Sequence, residues 1–145
     1  DIIVVDGGGD LSNSLMGELM LSHAMNLGAG GFVINGAIRD ADAFKTLNVP
    51  TFAAAVNHRG PYKDGPGEVN VTISVNGMVV RPGDLILGDS DGVVCVPLEM
   101  TEQVLAETLA KQAAEERQMQ AIKDRTNDRS WVDKALREKG CEFPK

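Results

Sequence analysis

Three short apolar runs, at residues 2–5, 32–34 and 51–56, are separated by stretches with helical periodicity. This spacing narrows the fold more than any other feature of the chain. A continuous run of β-branched and apolar residues reads as a strand buried on both faces. Between the first two runs, Leu15, Met16, Leu19, Met20, Ala24 and Leu27 recur as one face of a helix, which Gly28, Gly30 and Gly31 stop. Asp40 stands where it can cap a second, short helix reaching Leu47, and Pro50 follows that stop. Asp6-Gly7-Gly8-Gly9-Asp10 reads as a flexible turn. The first half is therefore β-α-β-α-β with parallel strands.

The pattern then changes. Residues 57–67 are rich in Gly, Pro and charge and form a long loop. Val69, Val71, Ile73 and Val75 alternate with polar residues, as in a strand with one wet face. Asn76-Gly77 is a two-residue hairpin turn returning into Met78-Val79-Val80. Pro82-Gly83-Asp84 and Asp89-Ser90-Asp91-Gly92 are turns leading into Leu85-Ile86-Leu87 and Val93–Val96. The second half is antiparallel. From Glu99 to about Lys123 the Ala-, Gln- and Glu-rich sequence makes a long helix, with Val104, Leu105, Leu109 and Ala113 as its apolar stripe. Ser130 caps a last helix, from Trp131 to Lys139, which Trp131 anchors.

The 145 residues suit one domain, residues 1–145, large enough for a core. The chain opens directly in a strand, so residues are expected to precede Asp1. Neither a signal peptide nor an apolar run near the ~20 residues of a membrane span is visible. The net charge of −7 argues against nucleic acid as a partner, because phosphate contacts need a basic surface. Cys95 and Cys141 lack metal-ligand spacing, and Cys95 lies in an apolar run as a small hydrophobe. The expected compartment is a reducing cytoplasm.

The residues with chemical potential gather around the end of the second strand. Arg39 and Asp40 follow Asn35-Gly36, and Glu18 lies near the start of the first helix. In a parallel β-α-β unit both places fall at the carboxyl edge of the sheet, where crevices form. Arg39 can orient an anionic oxygen or make only a surface ion pair. Asp40 can hold a hard divalent cation or cap a helix. Glu18 is a site acid or a solvated one. The free N–H groups at the helix start suit a carboxylate. The glycines at 7–9 lack dinucleotide-motif spacing. His23 reads as structural, and His58 and Arg59 as part of a lid or a subunit contact.

Glu18, twenty residues, then Arg39-Asp40 resembles the signature of the RraA-like family. Val4–Gly9, Pro82–Ile86, Asp89–Pro97 and Asp128–Asp133 are similar to family segments in family order. The resemblance implies a swivelling-type β/β/α domain, in the α/β class. It has a parallel first half, an antiparallel second half and C-terminal helices. Catalytic members are metal-dependent aldolases of 4-hydroxy-4-methyl-2-oxoglutarate and 4-carboxy-4-hydroxy-2-oxoadipate that also decarboxylate oxaloacetate. Carried onto this chain, Asp40 would hold Mg²⁺ or Mn²⁺, and Arg39 would contact the keto or enolate oxygen. Glu18 would hold a water of the ion's hydration. The backbone at Gly17, Glu18, Leu19 and Met20 would bind the pyruvyl carboxylate. Homotrimers or hexamers with sites between subunits are implied. No lysine has an imine-forming context, and no base is nameable from the sequence. The chain departs from the family at Ala43, where an acid is common; Asp42 stands one residue earlier. Other RraA-like proteins bind and inhibit ribonuclease E and lack the metal-binding acid, whereas this chain keeps Asp40.

Overall fold

The computed structural model describes residues 1–142. They form two compact units, residues 1–101 and, from 102 onward, a C-terminal helical unit. The first unit begins as expected. Strands β1 (Ile2–Met16), β2 (Gly31–Ile38) and β3 (Thr51–Val56) form a parallel sheet in that order, with β2 central. Helices α1 (Glu18–Asn26) and α2 (Ala41–Thr46) make the crossovers.

Strand β1 differs from its expected form. Residues 2–6 pair regularly with residues 31–35 of β2, and the ladder then continues through Asp10, Ser14 and Met16 with shifts between them. The segment expected to be a flexible turn is thus the irregular middle of a long strand. Short polar side chains shape the bulges. Asp6 Oδ1 accepts from the Gly8 N–H at 2.9 Å and from Asn35 Nδ2 at 3.0 Å. Asp10 Oδ1 accepts from the N–H and the hydroxyl of Ser12, at 2.8 and 2.6 Å. The Ser12 hydroxyl is the chief reason that the Asp10 carboxyl lies below its ordinary pKa. Gly8 and Gly9 supply the positive φ angles, 65° and 71°, that the turn demands. Leu15 and Met16 consequently belong to β1 and not to α1.

Alternation along β2 makes two packed faces. On one, Phe32, Ile34 and Ile38 join Met16, Leu21 of α1 and Phe44 and Val49 of the α2 region in the core. Phe32 and Phe44 meet edge to face, with centroids 6.5 Å apart. The other face carries Val33 and its register neighbour Phe52. There Gly88 admits the Phe52 ring; a Cβ at Gly88 would stand 2.6 Å from it.

The antiparallel half consists of two hairpins, β4 (Ile73–Val75) with β5 (Met78–Val80), and β6 (Leu85–Asp89) with β7 (Gly92–Val96). Asn76 and Gly77 both have positive φ, 48° and 90°, as the tight turn requires. Of the strand expected from Val69, only Ile73–Val75 pairs. Asp84 ties this half together. Its carboxylate accepts the Arg81 N–H at 2.9 Å and the Leu98 N–H at 3.2 Å, and Cys95 Sγ lies 3.6 Å away. Burial first, and then this carboxylate, push the Cys95 thiol up, which leaves it protonated and unreactive.

A single 3-10 turn, Leu98–Met100, precedes α3 (Thr101–Lys123), and α4 (Ser130–Glu138) follows. Ser130 is the first residue of α4 and not its cap; its N–H donates to Asp128 Oδ1 at 2.8 Å. Trp131 is 68% exposed, so it does not anchor this helix. No described helix is long and apolar enough to cross a membrane.

Candidate functional site

Three strand ends build the site. Gly17 and Glu18 follow β1, Arg39 and Asp40 follow β2, and Asn57 follows β3. The backbone locks these ends together. The Arg39 N–H donates to the Met16 carbonyl at 2.8 Å, and the Asn57 N–H donates to the Ile38 carbonyl at 2.8 Å. Both bonds continue the parallel ladders past the last paired residues. The Arg-Asp pair therefore leaves the central strand flanked by both neighbours, where parallel sheets form ligand crevices.

Asp40 is the N-cap of α2 by position, but its side chain makes no capping bond there. It turns to the other helix instead. Its Oδ2 accepts the Glu18 N–H, at the first residue of α1, at 3.0 Å. The positive end of the α1 dipole favours a carboxylate there, by about 0.3–1 kcal/mol. The backbone of Asp40 is left-handed, φ 55° and ψ 41°, and this aims the side chain at α1. Arg39 Nε lies 3.7 Å from the same Oδ2. Both side chains are close to half exposed, so this contact is worth only about 0–1 kcal/mol.

Gly17 makes the convergence possible. A Cβ on this buried residue would stand 2.7 Å from Asp40 Oδ2 and 2.8 Å from Arg39 Cγ and Nε. Only a residue without a side chain lets both groups lie against the start of α1. Within α1 the first backbone bond runs from the Leu21 N–H to the Gly17 carbonyl. The N–H groups of Leu19 and Met20 have no protein acceptor among the described residues and face the start of the helix. Of the four backbone positions expected to receive a carboxylate, Glu18 already serves Asp40.

A cleft of about 480 Å³ opens beside the pair, lined by Glu18, Ser22, Asp40, Asp42 and Thr46 among others. The structure thus brings Glu18 and Asp40 to one cavity, and Arg39 is not among the residues that line it. Asp42 reaches its wall but is paired with Lys45 at 3.4 Å. His23 is exposed and is not a core residue.

The loop after β3 carries Asn57, which sequence reasoning did not single out. Asn57 Nδ2 donates to the Leu11 carbonyl at 2.9 Å, and Asn57 Oδ1 accepts the Arg59 N–H at 3.0 Å. The Arg59 carbonyl receives both the N–H and the hydroxyl of Ser14, at 2.8 and 2.7 Å. Ser14 is 1% exposed. Residues 57–59 are therefore pinned to β1, unlike a free lid. The available signal was a buried-strand serine facing a loop asparagine, a pairing invisible without the bulged course of β1.

A family profile described as RraA-like, Aldolase/RraA, matches residues 1–95. The chain belongs to the RraA-like family. A provisionally named 4-hydroxy-4-methyl-2-oxoglutarate aldolase of Halalkalibacterium halodurans is 44% identical over 124 residues, 86% of this RraA-like chain and 59% of the relative. The RNA-processing inhibitor RraA of Thermus thermophilus superposes with a TM-score of 0.63 at 35% identity, covering 66% of this chain and 58% of that one. RraAS2 of Streptomyces coelicolor, described as an unusual member of the RNase ES inhibitor RraA family, gives 0.75 at 26% identity, covering 83% and 62%. The RraA-like chain spans about three fifths of the length of these relatives.

Proposed function

We propose that this chain carries the site of a divalent-metal-dependent lyase. It would split a 4-hydroxy-2-oxo acid, 4-hydroxy-4-methyl-2-oxoglutarate or 4-carboxy-4-hydroxy-2-oxoadipate, into pyruvate and a second oxo acid. Oxaloacetate decarboxylation would use the same groups, because both reactions pass through the enolate of pyruvate. The observation that carries this reading is the convergence of Arg39 and Asp40 on the start of α1. The aldolase name of the Halalkalibacterium relative supports it.

The donors present fit a hard cation. Asp40 Oδ1 has no partner among the described residues, and Glu18 lines the same cleft. One or two carboxylates with several waters suit Mg²⁺ or Mn²⁺. Asp40 would hold the ion, and Glu18 would hold water beside it. When bound, such an ion polarises the 2-oxo carbonyl as a Lewis acid.

The chain's own residues do the rest. The N–H groups of Leu19 and Met20 receive the substrate carboxylate, with the α1 dipole adding to the attraction. Arg39 holds a permanent positive charge beside the oxygen on which negative charge develops, so it binds the enolate more strongly than the ground-state carbonyl. The half exposure of its side chain leaves the guanidinium accessible to a substrate.

Family resemblance carries assembly into the same proposal, as a homotrimer or hexamer with sites completed between subunits. The outer face of the β6–β7 hairpin supports it. Leu85, Leu87 and Val94 lie there 44%, 50% and 56% exposed, an apolar patch suited to a protein contact.

Pyruvate release from 4-hydroxy-4-methyl-2-oxoglutarate and from oxaloacetate, with Mg²⁺ and then with EDTA, tests the reading. The expected result is metal-dependent pyruvate from both. Release from oxaloacetate alone makes the protein a decarboxylase. Release from neither favours a binding protein, the role in the name of the Thermus relative.

A further inference from the structure

Arg39 is in place before any substrate arrives, and two glycines lie along its side chain. Gly17 sits against Cγ and Nε, where a Cβ would stand at 2.8 Å. Gly60 sits farther along, where a Cβ would stand 3.4 Å from Nη1. Gly17 is fixed by the end of β1. Gly60 belongs to a Gly-, Pro- and charge-rich loop that has no regular structure to hold it. Its position depends on the bonds made just before it by Asn57 and Ser14.

We propose that Asn57, assisted by Ser14, is a positioning residue for Arg39: it latches the loop that holds Gly60 against the guanidinium. The latch is bidirectional. Asn57 donates to the Leu11 carbonyl and accepts the Arg59 N–H, so one amide spans β1 and the loop. Ser14 grips the Arg59 carbonyl, one residue before Gly60, with both its donors. An arginine side chain has four rotatable bonds and is costly to hold in one geometry. Backbone walls at Nε and at Nη1 restrict that freedom without competing for the guanidinium's donors, which stay available to an oxyanion. The proposal rests on the reading of Arg39 as the group facing the developing charge. It adds that the loop, which itself supplies no group to the proposed substrate, sets where that charge is stabilised.

The test compares Asn57→Ala, Asn57→Asp and Ser14→Ala in the full chain. Asn57→Asp keeps the acceptor for the Arg59 N–H and loses the donor to Leu11. Ser14→Ala removes the hydroxyl bond to the Arg59 carbonyl and keeps the N–H bond beside it. Two readouts are taken, the kcat and KM for oxaloacetate with Mg²⁺, and the ¹⁵N–¹H signal of Arg39 Nε. That signal is assigned by its loss in Arg39→Lys.

In Asn57→Ala, kcat is expected to fall about 10- to 100-fold, the cost of a misplacement near 1 Å, with a much smaller change in KM. The Arg39 signal should shift and exchange faster with water. Asn57→Asp should be intermediate. Ser14→Ala should shift the signal and lower kcat more weakly in a protein that folds normally, which preserves the test where Asn57→Ala fails to fold. An Arg39 signal unchanged in the folded variants overturns the proposal, whatever the kinetics. A shifted signal with wild-type kcat overturns it equally. In a protein that turns over no oxo acid, the signal alone decides: a shift supports the latch while the lyase reading fails.

Discussion

Asp40 combines two demands in one residue. Its left-handed backbone favours Asn, Asp or Gly, because a longer or branched side chain costs roughly 1–2 kcal/mol there. Its carboxylate must also reach α1 and leave one oxygen free. An asparagine at this position would meet the first demand and fail the second, so Asp40→Asn separates them. The expected outcome is loss of metal-dependent turnover by more than about 100-fold, with a melting temperature close to wild type. Turnover with Mg²⁺ and thermal denaturation measure the two halves. The position of Arg39 and Asp40 just past β2 was legible in the sequence, because a strand that ends in charge is a local signal. Ser14 and Asn57 were not, since their meaning comes from contacts between residues more than 40 apart, and Gly60 matters only because the loop folds back onto Arg39.

The elements differ in how far pattern alone could place them. Strand β3 occupies residues 51–56 as its β-branched and apolar content implies, and the Asn76-Gly77 turn sits where turn chemistry puts it. Strand β1 runs ten residues past Asp6 because Asp and Ser side chains supply the bonds that the bulged ladder lacks. Periodicity cannot see that compensation, so Leu15 and Met16 read as helix. Helix α1 is held by Leu21, which is completely buried between α1 and the sheet. Leu21→Ala should cost about 2–5 kcal/mol in chemical denaturation. Asp84 gives the antiparallel half a dependence on acid. The Arg81 N–H holds its carboxyl below the ordinary value, aided by the Leu98 N–H, the Cys95 thiol and the Arg81 charge, against a cost of burial that is second only to the Arg81 bond. A carboxyl depressed in the folded state stabilises above its unfolded pKa, about 3.9, and loses that contribution as pH falls through the lower folded value. The urea midpoint should therefore drop between about pH 5 and pH 2. Asp84→Asn should be less stable than wild type at about pH 6 and should show a shallower drop.

At the scale of the molecule, the family match and the proposed chemistry both concern the first unit. The apolar outer face of β6–β7 gives that unit a surface suited to a second copy. Leu87→Glu with Val94→Glu should shift the sedimentation coefficient from an assembly to a monomer while the far-ultraviolet spectrum stays unchanged. A wild-type chain that sediments as a monomer would remove assembly from the proposal. Among the described residues, the groups shown against Arg39 and Asp40 lie between Met16 and Gly60. Chains emerge from the ribosome N-terminal end first. This constellation is therefore synthesised before β4 exists, and the hairpins add to the sheet afterwards, with Gly88 of β6 admitting the Phe52 ring of β3.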